Sequence, residues 1–116
     1  MKYREIIEQV RAFHPNEYTD DEMCRWMGDV NADIVRNVEK NAIAPRRSVN
    51  ADDVVIVPAP YDDIYRYYIL AQIAYYQKDY ESYKVHYTMY KEKREGYMAY
   101  YIRTHGSDIS SFKNWV

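Results

Sequence analysis

Tyr3, Ile6, Ile7, Val10 and Phe13 return at the three- and four-residue steps of one helix face, which predicts a short first helix. His14-Pro15-Asn16 ends it, because proline disfavours helical backbone at the residue before it. Thr19-Asp20-Asp21-Glu22 has the form of a capping box: the Thr19 hydroxyl accepts from the backbone at Glu22, Glu22 reaches back, and the acids meet the positive end of the helix dipole. A second helix is expected to start there, with Met23, Trp26, Met27, Val30, Ile34 and Val38 on one face and Asp29, Asp33, Arg36 and Lys40 largely on the other.

Residues 41–60 break all periodicity. They hold Pro45, Pro58 and Pro60, the basic pair Arg46-Arg47 and the apolar run Val54-Val55-Ile56-Val57. Four β-branched residues in a row predict an extended segment that packs flat on helices or pairs with another copy. A connector of this length is uncommon in a small domain unless it has a task, and contact with a neighbour is the expected one.

Pro60-Tyr61-Asp62-Asp63 opens a third helix, apolar nearly all round from Ile64 to Tyr75. Such a helix needs cover on more than one side, and in a small domain this suggests a partner molecule as well as the core. Lys78-Asp79 is the expected break, with Asp79 capping a fourth helix that runs to about Thr104. The alternative is a single helix over 61–104, since Tyr76, Tyr80, Tyr83, Tyr87, Tyr90, Arg94, Tyr97, Tyr101 and His105 keep helical spacing straight through that break. The hairpin is preferred, because an unbroken helix leaves the third helix without intrachain cover. Gly106 then acts as a stop, and 107–116 forms a tail with Phe112 and Trp115. The expected fold is all-α: four helices, a long helical hairpin, and an extended connector between helices two and three. The helical domain covers 1–105, and 106–116 is a docking tail.

Thirteen of the fifteen tyrosines lie between Tyr61 and Tyr101. A tyrosine joins a large apolar ring to a polar tip, so a stripe of them suits a subunit contact that is buried without being dry. Half of the stripe is expected to form the seam between helices three and four, and the remainder to meet a partner.

Composition narrows the chemistry. Sixteen Lys and Arg against eighteen Asp and Glu leave a formal charge of -2, which gives no general attraction to nucleic acid. The single Cys24 has no intramolecular disulfide partner, and its place in a helical pattern fits a small buried role in a reducing compartment. No apolar run approaches membrane-spanning length and the first residues lack a signal-peptide pattern, so a soluble cytoplasmic chain is expected. His14, His86 and His105 stand far apart, with no paired His or Cys ligand spacing, no phosphate-binding glycine loop and no nucleophile elbow. No cofactor, metal or enzymatic activity is therefore expected. The acidic pairs Asp20-Asp21 and Asp62-Asp63 read as helix-start residues, and Lys84, Lys91, Lys93 and Arg94 are too interleaved with Glu81, Glu92 and Glu95 for a single-strand-binding face.

Several blocks together resemble a known family: His14-Pro15-Asn16-Glu17-Tyr18 with Arg25-Trp26, Val55-Ile56-Val57-Pro58-Ala59-Pro60-Tyr61-Asp62-Asp63-Ile64-Tyr65, Ala71-Gln72-Ile73-Ala74-Tyr75-Tyr76, and Tyr100-Tyr101-Ile102-Arg103-Thr104-His105. Across about residues 3–105 the chain resembles the small helical head-tail connector (adaptor) proteins of long-tailed bacteriophages. The resemblance implies a virion structural protein of the neck, assembled in the host cytoplasm as a homo-oligomeric, usually dodecameric, ring. Such a ring docks beneath the portal protein and receives the stopper or tail-completion protein. Genomic DNA passes through its channel without specific binding, and neither catalysis nor a membrane is involved. The candidate contact residues are Tyr61, Tyr65, Tyr68, Tyr76, Tyr83, Tyr90, Tyr97, Tyr101, Val55 and Val57 toward neighbouring subunits, with Phe112 and Trp115 as side chains able to clasp the portal. Two other readings stand beside it: a peptide-binding helical hairpin using the tyrosine face as a groove, and a nucleic-acid-binding regulator.

Overall fold

Helix α1 (Tyr3–Phe13) starts the chain, and its Tyr3, Ile6, Ile7 and Val10 are buried as their spacing requires. Helix α2 (Asp20–Asp33) is capped as its sequence predicts, with the Thr19 side chain accepting from the Glu22 N–H and Glu22 returning to the Thr19 backbone. Helix α3 (Ile64–Tyr76) and the long α4 (Tyr80–Thr104) complete an all-α domain of four helices. A computed structural model describes residues 1–40 and 48–105. Pro45, Arg46-Arg47, Phe112 and Trp115, the last two expected to clasp the portal, lie outside the described residues.

Helix α2 does not simply stop. It passes into a π turn, Ile34–Val38, with Ile34 and Val38 both buried, and the flanking Asp33 and Glu39 reach α4. The first helix closes onto α2 through Arg11, which donates to the Tyr18 carbonyl and pairs with Asp20.

The break between α3 and α4 falls at Lys78-Asp79 as expected. Lys78 takes a left-handed backbone (φ 61) that ends one helix, and the Asp79 carboxylate accepts from the Ser82 N–H to begin the next. The stepping from Tyr76 to Tyr80 therefore spans two antiparallel helices and is not one stripe.

Most of the apolar girth of α3 is covered within the chain. Helix α3 is the central element, packed by α1, α2 and α4, and Ile64, Tyr65, Ile69, Leu70, Ala71, Ile73 and Ala74 are all buried within the chain. Three neighbouring helices of the same chain cover most of this girth, while Tyr75 and Tyr76 at its end stay exposed.

The extended run packs on the helices, the first of its two expected outcomes, with Val55 and Val57 in the core. Val54 forms an antiparallel bridge with Lys2, the Tyr3 N–H donates to Asp53 O, and the Val55 N–H donates to Met1 O, so the pairing partner is the chain's own beginning. Side chains alternate along it, Val55 and Val57 inward, Val54 and Ile56 outward.

Gly96 stands exposed in the interior of α4, where glycine costs about 1 kcal/mol relative to alanine. A Cβ added there meets only the Tyr61 ring, at an ordinary 3.9 Å. Gly96→Ala is expected to stabilise the domain by about 1 kcal/mol and raise Tm by about 4 °C in a dilute thermal melt.

Candidate assembly surface

Four tyrosines, Tyr3, Tyr65, Tyr90 and Tyr97, are buried anchors with hydrogen-bonded hydroxyls. Tyr65 donates to Asn31 Oδ1 (2.6 Å) and accepts from the Val57 N–H (3.3 Å), while Asn31 Nδ2 donates to the Tyr3 hydroxyl (2.8 Å). Tyr3 and Tyr65 also meet edge to face at 5.5 Å. This cluster ties α1, α2, α3 and the extended segment at a single point. Tyr90 donates to Asp33, and Tyr97 to Glu39.

Asp33 is the node that fixes α4 on α2. It receives a two-pronged contact from Arg94, plus bonds from Tyr90 and Asn37. Burial acts to raise the Asp33 carboxyl, but Arg94, Asn37 and Tyr90 outweigh it and hold it below the ordinary carboxylate value. The sequence places Asp33 on the face away from the apolar stripe; α4 crosses over it there, and Arg94, the one break in the tyrosine stripe, is its partner.

These contacts correct five of the candidate interface residues. Tyr65, Tyr90, Tyr97, Val55 and Val57 are core, each no more than 9% exposed, and have no surface to offer a second molecule. Tyr61, Tyr68, Tyr83 and Tyr101 are half-buried against rings of their own chain: Tyr61 on Tyr97 and Tyr100, Tyr68 on Tyr90, Tyr83 on Tyr75 and Tyr87, Tyr101 on Tyr97 and His105. Tyr76 alone of those described is exposed, at 58%, with one face stacked on Trp26.

The open aromatic surface lies at the pole formed by the α3–α4 turn. Tyr75 (49%), Tyr76 and Tyr80 (55%) touch one another there, with Tyr75 meeting both other rings. Phe13, 70% exposed, adjoins His14, and His14 lies within electrostatic reach of Asp79 and His86, which places the end of α1 at the same pole. Tyr75, Tyr80 and Phe13 are exposed yet not among the residues the sequence points to. A signal for them exists, since a helix turn between two aromatic helix ends leaves no room to cover every ring.

Among the described residues no group of His, Cys, Asp and Glu is arranged to hold a metal ion, and no helix is long and apolar enough to cross a membrane. Burial pushes the Cys24 thiol up, away from thiolate chemistry, as its buried place in α2 implies. The chain was compared with protein-family models, with curated proteins and with solved structures, and none of them matches it.

Proposed function

We propose that this chain is a structural assembly subunit of the head-tail connector kind: a virion protein whose copies form a ring, dodecameric in the family it resembles, between portal and stopper or tail, with genomic DNA passing through the channel. The observation that carries the reading is the aromatic pole. Phe13, Tyr75, Tyr76 and Tyr80 leave half or more of large rings in water on a domain whose other tyrosines are covered, and clustered exposed aromatics are the usual anchors of protein contacts. The Val55-to-Tyr65 block and the other family-like segments supply the kind of assembly. A peptide groove along the tyrosine face is disfavoured, because α3 already fills that face. A nucleic-acid role is disfavoured by the alternating signs along the outside of α4, where Glu81, Glu92 and Glu95 interrupt Lys84 and Lys91.

Imaging the chain in its native particle tests the reading: copies should ring one portal vertex. The triple change Tyr75→Ser, Tyr76→Ser and Tyr80→Ser should leave the helical circular dichroism intact while abolishing incorporation into particles. Incorporation at the wild-type level would remove the aromatic pole from the argument.

A further inference from the structure

The aromatic pole and the tail beyond His105 belong to opposite ends of one helix. Phe13, Tyr75, Tyr76 and Tyr80 stand open where α4 begins, while the chain leaves the far end of α4 and carries Phe112 and Trp115 onward. These two are the aromatic side chains of the sequence that lie outside the described residues. With Ile109 they recur at every third position, the spacing of a single docking edge, and the polar Ser110, Ser111 and Asn114 stand between them. The pole has the matching needs: Tyr75, Tyr76 and Tyr80 leave about half or more of each ring in water, and their hydroxyls bond to no described residue.

Reach decides whose pole the tail can cover. From Tyr80 to Thr104 the helix rises about 36 Å. A fully stretched chain spans at most about 3.6 Å per residue, so Phe112 gets no further than about 25 Å from His105, and Trp115 no further than about 36 Å. Phe112 therefore stops about 11 Å short of its own pole, and Trp115 arrives only as a taut line with nothing left to turn round the helix end. The rings near the tail's root are already engaged, with Tyr100 on Tyr61 and Tyr97, and Tyr101 on His105.

We propose that Phe112 and Trp115 of one copy seat on the Phe13, Tyr75, Tyr76 and Tyr80 pole of a second copy, head to tail. Donor and acceptor lie at opposite ends of each molecule, so every copy gives one contact and receives one, and aromatic anchors meet aromatic anchors. The contact is heterologous, the type a ring repeats, and in that respect it rests on the connector reading, whose aromatic pole it gives a named occupant. It assigns the tail to a neighbouring copy, where the family resemblance gives it to the portal.

The test uses two full-length variants, weighed by sedimentation equilibrium at high micromolar concentration, with circular dichroism confirming the fold. The wild type should associate beyond the monomer. F112S/W115S keeps the pole and loses the tail anchors, Y75S/Y76S/Y80S keeps the tail and loses the pole, and each alone should weaken association by about tenfold or more. Mixed in equal amounts they should form a one-to-one complex that grows no further, because one intact tail meets one intact pole. A synthetic peptide of residues 106–116 should dissociate the wild-type assembly. Pole-to-pole pairing would leave the first variant associated, and a tail seated on another surface of the neighbour would leave the second associated; either overturns the proposal. So does a mixture that stays monomeric, a peptide without effect, or a monomeric wild type, the result expected if the tail lies on the exposed Val54 and Ile56 of its own chain. The contact and the connector reading fail separately, since weighing in solution reads the first and imaging of the native particle reads the second.

Discussion

Above about pH 10 the domain is expected to lose stability at about 4 kcal/mol per pH unit and to unfold cooperatively within about two units. The cause is the burial of phenols. Tyr65, Tyr90 and Tyr97 are each under 5% exposed, and burial pushes all three well above the ordinary tyrosine value. Tyr68, half-buried, is pushed up to about 12, again chiefly by burial. The sign follows directly. In the unfolded chain these hydroxyls ionise near their ordinary value, while in the folded chain they stay protonated, so the unfolded state binds fewer protons as pH rises. Their contribution is complete below about pH 10 and is lost above it, at about 1.4 kcal/mol per unit for each of the three deeply buried groups. A domain holding about 5–15 kcal/mol in total cannot absorb that loss for long. Phenolate absorbance should show a steep step for Tyr65, Tyr90 and Tyr97 that coincides with loss of helical dichroism. A single smooth titration with the helices retained would mean that Tyr65, Tyr90 and Tyr97 are open to water, contrary to their place in the core.

Asn31→Ala is expected to cost about 3 kcal/mol, the largest loss from a single polar side chain. Asn31 is 5% exposed and bonds to two phenols at once, donating to Tyr3 and accepting from Tyr65. Its removal strands the Tyr65 proton and takes the donor from the Tyr3 oxygen, and two poorly satisfied groups in a dry site cost more than one hydrogen bond returns. Tyr65→Phe is expected to cost less, about 2 kcal/mol, since it leaves Asn31 Oδ1 and the Val57 N–H unpaired but keeps the ring in place. Chemical denaturation of the three proteins checks the order. If Asn31→Ala matches a surface substitution, the cluster is not a junction of the fold.

Much of this fold was legible because its signals are local. The Thr19-to-Glu22 capping box, the Pro15 stop, the Asp79 cap and the helical steps of Tyr3, Ile6, Ile7 and Val10 each depend on residues within one turn of each other. Asn31 could have been noticed by the same rule, because it stands one helical step from both Met27 and Ile34 on the apolar face of α2. The candidate assembly surface was legible only in part. Tyrosine spacing identified which rings share a helix face but not which face α3 would occupy, and so Tyr65, Tyr90 and Tyr97 were read as outward contacts although they are core.

The chain's own pattern of apolar, capping and breaking residues determined that it forms four helices, where three of them begin, and that the last two fold back on each other. Tertiary structure alone decided which aromatic rings remain in water. That outcome depends on how many neighbours surround α3, and on α4 crossing the end of α2, which brings Tyr90 and Arg94 onto Asp33 across 57 and 61 residues of sequence. Burial is a property of the packed whole: a ring's own sequence neighbours fix its direction, while its exposure is set by whichever distant segment arrives to cover it.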